Sequence, residues 1–290
     1  MFQTPIVWPN VILFILYHAI ALQGWYYFIT FQTNLRTIFW AFLILVLAGQ
    51  GITSGVHRLW SHRSYKAKLP LRIFLCLCQT ISFQNSIYEW ARDHRAHHKF
   101  SDTDADPHNI KRGFFFAHMG WLLVRKHPQV KMKGQLIDLS DLENDPVVRF
   151  QKKYYHVLAP LCCFVVPTMV PWYFWKENFY VSFCVCMLRY LISLHFTWLV
   201  NSAAHLWGFK PYDRFIKPSE NQIVAKLTMG EGWHNYHHTF PWDYKAAELD
   251  SYNGNLSTAF IDLMAKIGWA YDLKTVPLDV IRKRVLRTGQ

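Results

Sequence analysis

Charged side chains are missing from four long stretches of this 290-residue sequence. No Asp, Glu, Lys or Arg occurs in 1–35, 37–56 or 154–175, and only Arg189 interrupts 178–209. A helix that crosses a bilayer needs about 20 mainly apolar residues. The stretches therefore exclude an ordinary soluble domain and predict an all-α polytopic membrane protein with four transmembrane helices. The first stretch lacks a basic leader and a small-residue cleavage pattern, so we expect a retained span rather than a signal peptide.

Acidic residues are also scarce, with 19 Asp and Glu against 31 Lys and Arg. Of these cations, 28 lie in 58–153 and 210–287, which four spans place on one side of the membrane. The positive-inside rule predicts that this side is cytosolic. The net charge of +12 suits anionic lipid, an acidic partner or a phosphate-bearing substrate. The cations are dispersed and no nucleic-acid-binding motif accompanies them, so we expect no nucleic-acid partner.

The charge pattern predicts four segments along the chain. Residues 1–56 form a first transmembrane hairpin, and 57–153 form a cytosolic segment with two histidine motifs and an interfacial helix. Residues 154–207 form a second hairpin, and 208–290 form a cytosolic C-terminal segment with a third histidine motif. The apolar stretch 69–90 contains Arg72 and Glu89, so we expect one interfacial or protein-buried helix there rather than a fifth span.

Cysteine spacings typical of zinc sites are absent. The six cysteines fall in pairs so close in sequence that we expect reduced, packed thiols rather than disulfides within each pair. These pairs are Cys76 and Cys78, Cys162 and Cys163, and Cys184 and Cys186.

Histidine, in contrast, is abundant and clustered. Eight of the 15 histidines fall in the motifs "HRLWSH", "HRAHH" and "HNYHH", beside the apolar stretches. In the last two motifs, spacings of three and four residues place the imidazoles on one face of a helix. The gap between His57 and His62 does not fit one α-helical face. It suits ligands that turn towards two centres, or a helix end.

A further polar element lies in the last apolar stretch, at "TWLVNSAAHLWG". Thr197, Asn201 and His205 recur at intervals of four residues and form a polar stripe. Polar groups at membrane depth are costly unless they face a protein interior or a cavity. We therefore expect the stripe to face the three histidine motifs.

Together these elements supply nine imidazoles, which is more than one metal ion binds, so two metal ions are predicted. Imidazole suits zinc, copper, iron or nickel, but tetrahedral zinc needs far fewer ligands. Neighbouring carboxylates are candidates to fix the rings through their second nitrogen; they are Asp93, Asp102, Asp104, Asp106 and Glu231. The isolated histidines are predicted to be packed or surface residues; they are His18, His108, His118, His127, His156 and His195.

The full set of motifs resembles one family. "HRLWSH", "EWARDHRAHHKFSDTDADPHN", "RGFFFAHMGWLLVRKHP", "WLVNSAAHLWG" and "GEGWHNYHHTFPWDY" are similar to the membrane-bound acyl-CoA desaturases, in particular the stearoyl-CoA or delta-9-like enzymes of the insect type. The resemblance covers nearly the whole chain. It implies four spans in the endoplasmic reticulum membrane and a cytosolic helical cap that holds a di-iron centre. It also implies molecular oxygen as oxidant and cytochrome b5 as electron donor.

The resemblance also implies roles for individual residues. The metal ligands are His57, His62, His94, His97, His98, His205, His234, His237 and His238, with Asn201 reaching one iron through water. The positions that bend the acyl chain are Gln84, Trp90, Thr197 and Trp198. The positions that hold the coenzyme A head group are Asn10, Arg92, Asp93, Arg125 and Lys126. By analogy, helix two closes the acyl tunnel, at Leu45 and Gly49.

The expected activity is insertion of a cis double bond into a saturated long-chain fatty acyl-CoA, such as palmitoyl- or stearoyl-CoA. Other regiochemistry, such as that of delta-11 pheromone-type enzymes, and hydroxylase or conjugase activity would use the same chemistry. A metal transporter or storage protein is an alternative from another class. Transporters bind their ions near the bilayer midplane, whereas eight of these nine histidines lie outside the uncharged stretches. That contrast disfavours transport.

Overall fold

A computed structural model describes residues 4–248 and 251–290. Helices account for almost all of its regular structure. They are α1 (Trp8–Ile29), α2 (Leu35–Gln50), α3 (Leu69–Ser82), α4 (Ile87–Phe100), α5 (Phe114–His118), α6 (Pro128–Gly134), α7 (Ser140–Asn144), α8 (Pro146–Pro160), α9 (Val166–Trp175), α10 (Phe179–Asn201), α11 (Ala203–Leu206), α12 (Gln222–Leu227), α13 (His234–Thr239), α14 (Leu256–Lys266) and α15 (Leu278–Thr288). Two π-helical segments (Gly51–Ser61 and Leu161–Val165), two short 3-10 turns (Ile110–Arg112 and Gly120–Leu122) and the strands β1 (Lys66–Ala67) and β2 (Ala270–Tyr271) complete the described elements.

Four continuous helices in the described residues are long and apolar enough to cross a membrane. They are Trp8–Ile29, Leu35–Ser61, Pro146–Trp175 and Phe179–Leu206. This confirms the prediction of an all-α membrane protein with four spans. The second span continues beyond its uncharged stretch and ends at Ser61. The third span begins at Pro146, before its uncharged stretch starts. The ends of these two helices therefore extend from the membrane bundle into the cap.

The second span changes its winding before it leaves the bundle. After Gln50 the helix becomes π-helical over Gly51–Ser61, a form in which the backbone bonds connect residues five apart. Gly51 lies against the backbone of α3, where an added Cβ atom would overlap the backbone of Cys78 and Gln79. The absence of a side chain at Gly51 thus lets the two helices cross in direct backbone contact.

The predicted single helix over 69–90 is wrong, because the chain forms two helices there. α3 ends at Phe83, which adopts a left-handed conformation with φ of 50°. Ser86 and Glu89 then form a capping box that begins α4. The hydrogen bonds of the capping box compete with helix continuation, and the sequence reading overlooked them. α3 itself is too short to be a fifth span.

The two basic segments pack into one cap on the same side of the bundle. β1 pairs with β2 in antiparallel register, with Lys66 opposite Tyr271 and Ala67 opposite Ala270. Beside this pair, Tyr65 and Ile261, from different segments, share an apolar core. The placement agrees with the charge pattern, which requires both segments on one face. The six cysteines all lie in the described part of the chain, and each is a free thiol, as predicted.

Arg189 is buried in the bundle, with only 3% of its surface exposed. Its Nη2 donates a hydrogen bond of 2.6 Å to the carbonyl oxygen of Cys163. Cys163 lies in the π-helical segment Leu161–Val165, where the changed winding alters the usual pairing of backbone carbonyls. A backbone carbonyl of the third span thus accepts a hydrogen bond from the buried cation of the fourth.

Replacement of Gly51 with alanine should destabilise the protein, because the new methyl group overlaps the α3 backbone, which has no room to yield. We expect a loss of about 1–3 kcal/mol, typical of overpacking. The matched control is Gly134→Ala, since a Cβ atom there meets nothing within 4 Å. Thermal unfolding in detergent measures both variants. Equal melting temperatures for the two would contradict the close helix crossing.

Candidate metal centre

All nine histidines that the sequence singled out lie together where the ends of the second and fourth spans meet the cap. Among the described residues, their ring nitrogens form two groups, each with its nitrogens within 4.8 Å of one another. The larger group contains His57, His62, His94, His98 and His237. The smaller group contains His97, His205, His234 and His238. This division was not predicted from the sequence, because it follows from how the helices pack.

Both α4 and α13 contribute to both groups. On an α-helix, residues four apart differ in direction by about 40°, and residues three apart by about 60° in the opposite sense. His94 and His98 therefore face one group, while His97 turns to the other. α13 repeats the division, with His234 and His238 in one group and His237 in the other. Two helices thus place two groups side by side.

Of the two explanations that the sequence allowed for the spacing of five between His57 and His62, the structure supports a helix end, since the helical segment ends at Ser61 and His62 caps it. The segment that ends between them is π-helical, and the backbone N–H of His62 donates to the carbonyl of His57 at 3.1 Å. Residues five apart share a face in this winding. Both rings therefore point into the same group, with their centroids 4.9 Å apart, rather than towards two centres.

The distances between Nε2 atoms fit a bound metal. His237 Nε2 lies 3.0 Å from Nε2 of both His57 and His98. In the smaller group, His234 Nε2 lies 3.0 Å from His205 Nε2 and 3.1 Å from His238 Nε2. Metal–nitrogen bonds of about 2.1 Å at right angles separate neighbouring nitrogens by about 3.0 Å. The nitrogen donors thus have the mutual spacing of a coordination shell.

Carboxylates hold the other ring nitrogen of two of these histidines. His57 Nδ1 lies 2.7 Å from Glu231, and His97 Nδ1 lies 2.9 Å from Asp106. A proton held between Nδ1 and the carboxylate leaves the Nε2 lone pair free to bind a metal. Asp102 lies 3.8 Å from His205 Nδ1.

Three of the five acids expected to hold the rings do not hydrogen-bond to one, including Asp102, which is too far from His205. Asp93 pairs with Arg92 and Lys126 instead of a histidine. Asp104 is exposed on the surface of the cap.

Arg58 holds Glu231 in place, and sequence reasoning missed it. Its guanidinium is 1% exposed and donates to Glu231 through Nε at 3.1 Å and Nη2 at 2.8 Å. It also donates to Thr258 and to the carbonyl of Tyr244. Burial alone would raise the pKa of Glu231, but Arg58 and His57 outweigh it and lower this pKa to about 2. The only signal in the sequence is that Arg58 follows a ligand candidate at the end of an uncharged stretch.

Burial also decides the protonation state of the histidines in the cap. It lowers the pKa of the ring well below its ordinary value, and the neighbouring histidines lower it further. This applies to His62, His94, His98, His234, His237 and His238. The rings are therefore neutral at pH 7, which is the form that binds metal ions.

The residues between the histidines of α13 anchor this short helix. Asn235 is fully buried, and its amide donates to the carbonyls of Asp213 and Pro218 at 2.9 Å each. The backbone N–H of Tyr236 donates to Glu220 at 2.6 Å, and the hydroxyl of Tyr236 donates to Asp243 at 2.8 Å. These bonds fix α13 from the side opposite the histidines.

Three linked cavities connect the histidine groups with the protein surface. The innermost has a volume of about 340 Å³ and is lined by Leu45, Gly49 and His57, among others. A second cavity of about 160 Å³ shares Trp90, His94, Thr197 and Asn201 with the first. Asp93, Asn85 and Trp121 line both the second cavity and an open groove of about 970 Å³. The lining residues thus trace one path from the groove to the deep end of the first cavity.

The residues proposed from the resemblance to bind substrate are distributed along this path. Leu45 and Gly49 line the innermost cavity, Trp90 and Thr197 line the first two, and Gln84 and Trp198 line the second. The groove contains Asn10, Arg92, Asp93 and Lys126. Arg125 is exposed beside the groove, and its backbone forms hydrogen bonds with Thr4 and Pro5.

Three histidines outside the two groups are linked to one another. His18 Nε2 lies 3.2 Å from His195 Nε2, and His195 Nδ1 lies 3.0 Å from His118 Nε2. His118 Nδ1 then meets the hydroxyl of Ser202 at 2.9 Å. They are packed residues, as predicted, but they are not isolated, because they join α1, α10 and α5.

The fold and the site define a multi-pass membrane protein with nine histidines that could hold metal ions beside an apolar cavity. Residues 33–250 match the family model described as fatty acid desaturase. The chain belongs to this family, and it is an oxidoreductase of the desaturase class.

Curated relatives are similar over almost the full chain. The Acyl-CoA Delta-9 desaturase of Acheta domesticus is 62% identical over 99% of this chain and 80% of its own length. The Acyl-CoA Delta12-desaturase of the same species is 58% identical over 99% of this chain and 81% of its own length. The Stearoyl-CoA desaturase of Sus scrofa is 56% identical over 98% and 78%, respectively.

Replacement of Glu231 with glutamine should weaken metal binding, because the amide no longer offers His57 Nδ1 a carboxylate. Loss of such a supporting group typically costs about 10- to 100-fold in metal affinity. The control is Glu143→Gln, an exposed glutamate that accepts a bond from Tyr88. Metal retained per folded protein, measured after dialysis against a chelator, separates the two variants. Retention equal to that of the parent would show that Glu231 does not support the site.

Proposed function

We propose that the chain inserts a cis double bond into a saturated long-chain fatty acyl-CoA of the palmitoyl or stearoyl type, in a delta-9-like position. It uses two iron ions, molecular oxygen and electrons from cytochrome b5. It acts in the endoplasmic reticulum membrane with its cap in the cytosol. The single observation that carries the proposal is the continuous path from a polar surface groove, past both histidine groups, into an apolar cavity.

The donor set supports two irons. Neutral imidazoles in groups of five and four give each metal several nitrogen ligands, a set suited to iron and larger than zinc takes. His57, His62, His94, His98 and His237 would hold one ion; His97, His205, His234 and His238, with Asn201 through water, would hold the other. Bound there, iron supplies the oxidising power, drawn from oxygen, that removal of two hydrogens from unactivated methylenes requires.

The protein itself positions the acyl chain relative to the histidine groups. The target carbons carry no polar group, so a fixed geometry of the chain must select them. Trp90 and Thr197 line both buried cavities, where the path passes His94. An acyl chain that bends there presents one pair of carbons to the histidine groups. A bent chain loses both hydrogens from one side, which favours the cis product.

The groove fits a phosphate-bearing head group. Arg92 and Lys126 flank Asp93, with Arg92 Nη2 3.0 Å from its carboxylate. Asp93 thereby holds both cations at the mouth of the second cavity, and Lys131 lies on the same groove. Arg and Lys at this position suit the phosphates of coenzyme A. A head group held here sets the distance from the thioester to the histidines.

The proposed electron donor and the proposed orientation in the membrane rest on the positive charge of the cap and on the family. Of the 31 Lys and Arg residues, 28 lie in the two segments that form the cap. Such a face suits a cytosolic location and an acidic redox partner. The proposed position of the double bond rests on the relatives, whose names include both Delta-9 and Delta12 desaturases. Product analysis decides between these positions.

Expression in a host that lacks its own fatty acid desaturase should restore monounsaturated fatty acids. Chromatography with derivatives that mark the double bond should show mainly cis products at one delta-9-like position. The control is the chain with His94, His97 and His98 all replaced by alanine, which should give no product. Hydroxylated or conjugated products, or desaturation by the triple variant, would contradict the proposal.

Replacement of Gly49 with leucine should shorten the preferred acyl chain. A side chain at this position enters the deep end of the innermost cavity, which Leu45 also lines. Each methylene lost from such a pocket changes discrimination by about tenfold or more. The control is Ala19→Leu on the exposed face of α1. Chain lengths of the unsaturated products report the outcome, and an unchanged distribution would show that Gly49 does not close the tunnel.

A further inference from the structure

The deep end of the innermost cavity has two walls, and only one of them belongs to a membrane span. Leu45 and Gly49 form the wall on α2. Across from them lies Met229, which belongs to the turn between α12 and α13 in the cap. A Cβ atom added at Gly49 would lie 2.7 Å from the Cε of Met229 and 3.1 Å from its Sδ. The thioether therefore fills the space that the glycine leaves.

Three contacts fix the turn that carries Met229. Its backbone is left-handed, with φ of 60°, and its carbonyl accepts a bond of 3.1 Å from the N–H of Ser257. The next residue, Gly230, has φ of 122°, and a Cβ atom there would lie 2.5 Å from Asn255 and 3.1 Å from Arg58. The glycine lets the turn press against these buried side chains. The backbone of Met229 is thus held while its side chain reaches into the cavity.

The position of the sulfur is also constrained. The amide of Gln50, adjacent to Gly49, lies 3.6 Å from Met229 Sδ. Gln50 is itself held by the hydroxyl of Ser54 at 2.6 Å. Met is unbranched and adapts its shape to irregular apolar space. A methionine side chain whose sulfur contacts Gln50 can therefore close the cavity and still adjust its shape.

We propose that Met229 is a specificity-determining residue that closes the acyl tunnel from the cap side and, together with Gly49, sets the longest acyl chain accepted. The inference rests on the proposed acyl-CoA desaturase function and names the stop at the methyl end of the chain. The head group and the bend fix which carbons react, so a change at Met229 alters chain length and leaves the position of the double bond, counted from the carboxyl end, unchanged.

The same turn continues into the candidate metal centre. Glu231, which holds His57, follows Met229 by two positions, and His234 lies three residues beyond Glu231. A substitution at Met229 that disturbed the turn would alter the histidine groups as well as the tunnel. The test therefore measures bound metal together with products.

The first variant is Met229→Ala, which removes the Cγ, Sδ and Cε atoms and keeps the Cβ, so the strain of the left-handed backbone is the same in both proteins. We expect the preferred chain to lengthen by about two carbons, with at least about a tenfold rise in the ratio of longer to shorter products. Met229→Phe should shift the ratio in the opposite direction. The matched control is Met169→Ala, at an exposed site on α9, which should leave the distribution unchanged.

Combining substitutions at Gly49 and Met229 tests directly whether the two residues share one space. Gly49→Ala alone crowds Met229 and should favour shorter chains. In the double variant with Met229→Ala, the crowding atoms are absent, so most of this effect should disappear. Such non-additivity is expected only of residues that share one space. A purely structural role for Met229 would lower yield and metal content without coupling to Gly49.

The results separate the inference from the function on which it rests. A parent chain that makes no unsaturated product would overturn the proposed function. An active Met229→Ala variant with full metal content and an unchanged length distribution would overturn the inference and leave the function standing. A shift of the double bond in the variant would also overturn it, because Met229 would then set the register rather than the length. Additive effects of the two substitutions would exclude a shared stop.

Discussion

The ion pair between Arg58 and Glu231 is the interaction on which the candidate centre depends most. Neutral imidazoles whose lone pairs face one another have no intrinsic reason to converge, so each ring must be held from behind. Glu231 does this for His57, and it remains ionised in a buried place because Arg58 and His57 both lie against it. Arg58 in turn joins the second span to Thr258 of α14. One buried cation therefore connects the membrane bundle, the cap and the histidines.

The unusual winding of the second span serves the same geometry. An α-helix would turn His57 and His62 away from each other, whereas the π-helical segment directs both into one group. Its backbone carbonyls also accept bonds from the cap, since Tyr65 donates to the carbonyl of Ser54 at 2.7 Å. The irregular backbone is buried throughout, which is the setting in which such segments are tolerated in membrane proteins.

The sequence predicted what depends on composition and short spacing. Uncharged stretches revealed the spans, and motifs at spacings of three and four revealed the histidines of α4 and α13. It did not reveal features that depend on contacts between distant segments. The break between α3 and α4 follows from the Ser86–Glu89 capping box. The contacts of Arg58 and Met229 appear only once α2, α14 and the turn before α13 come together, because the sequence marks Arg58 only by its place beside His57 and marks Met229 by no local pattern.

The turn before α13 links two properties that are usually considered separately. Within one short stretch, Met229 lies at the deep end of the cavity, Glu231 orients His57 and His234 enters the smaller group. A shift of this turn towards α2 would shorten the cavity and move the histidines at the same time. The turn is closely packed at Gly230, where an added Cβ atom would lie 2.5 Å from Asn255 and 3.1 Å from Arg58. One short segment therefore contributes both to the end of the cavity, through Met229, and to the histidine groups, through Glu231 and His234.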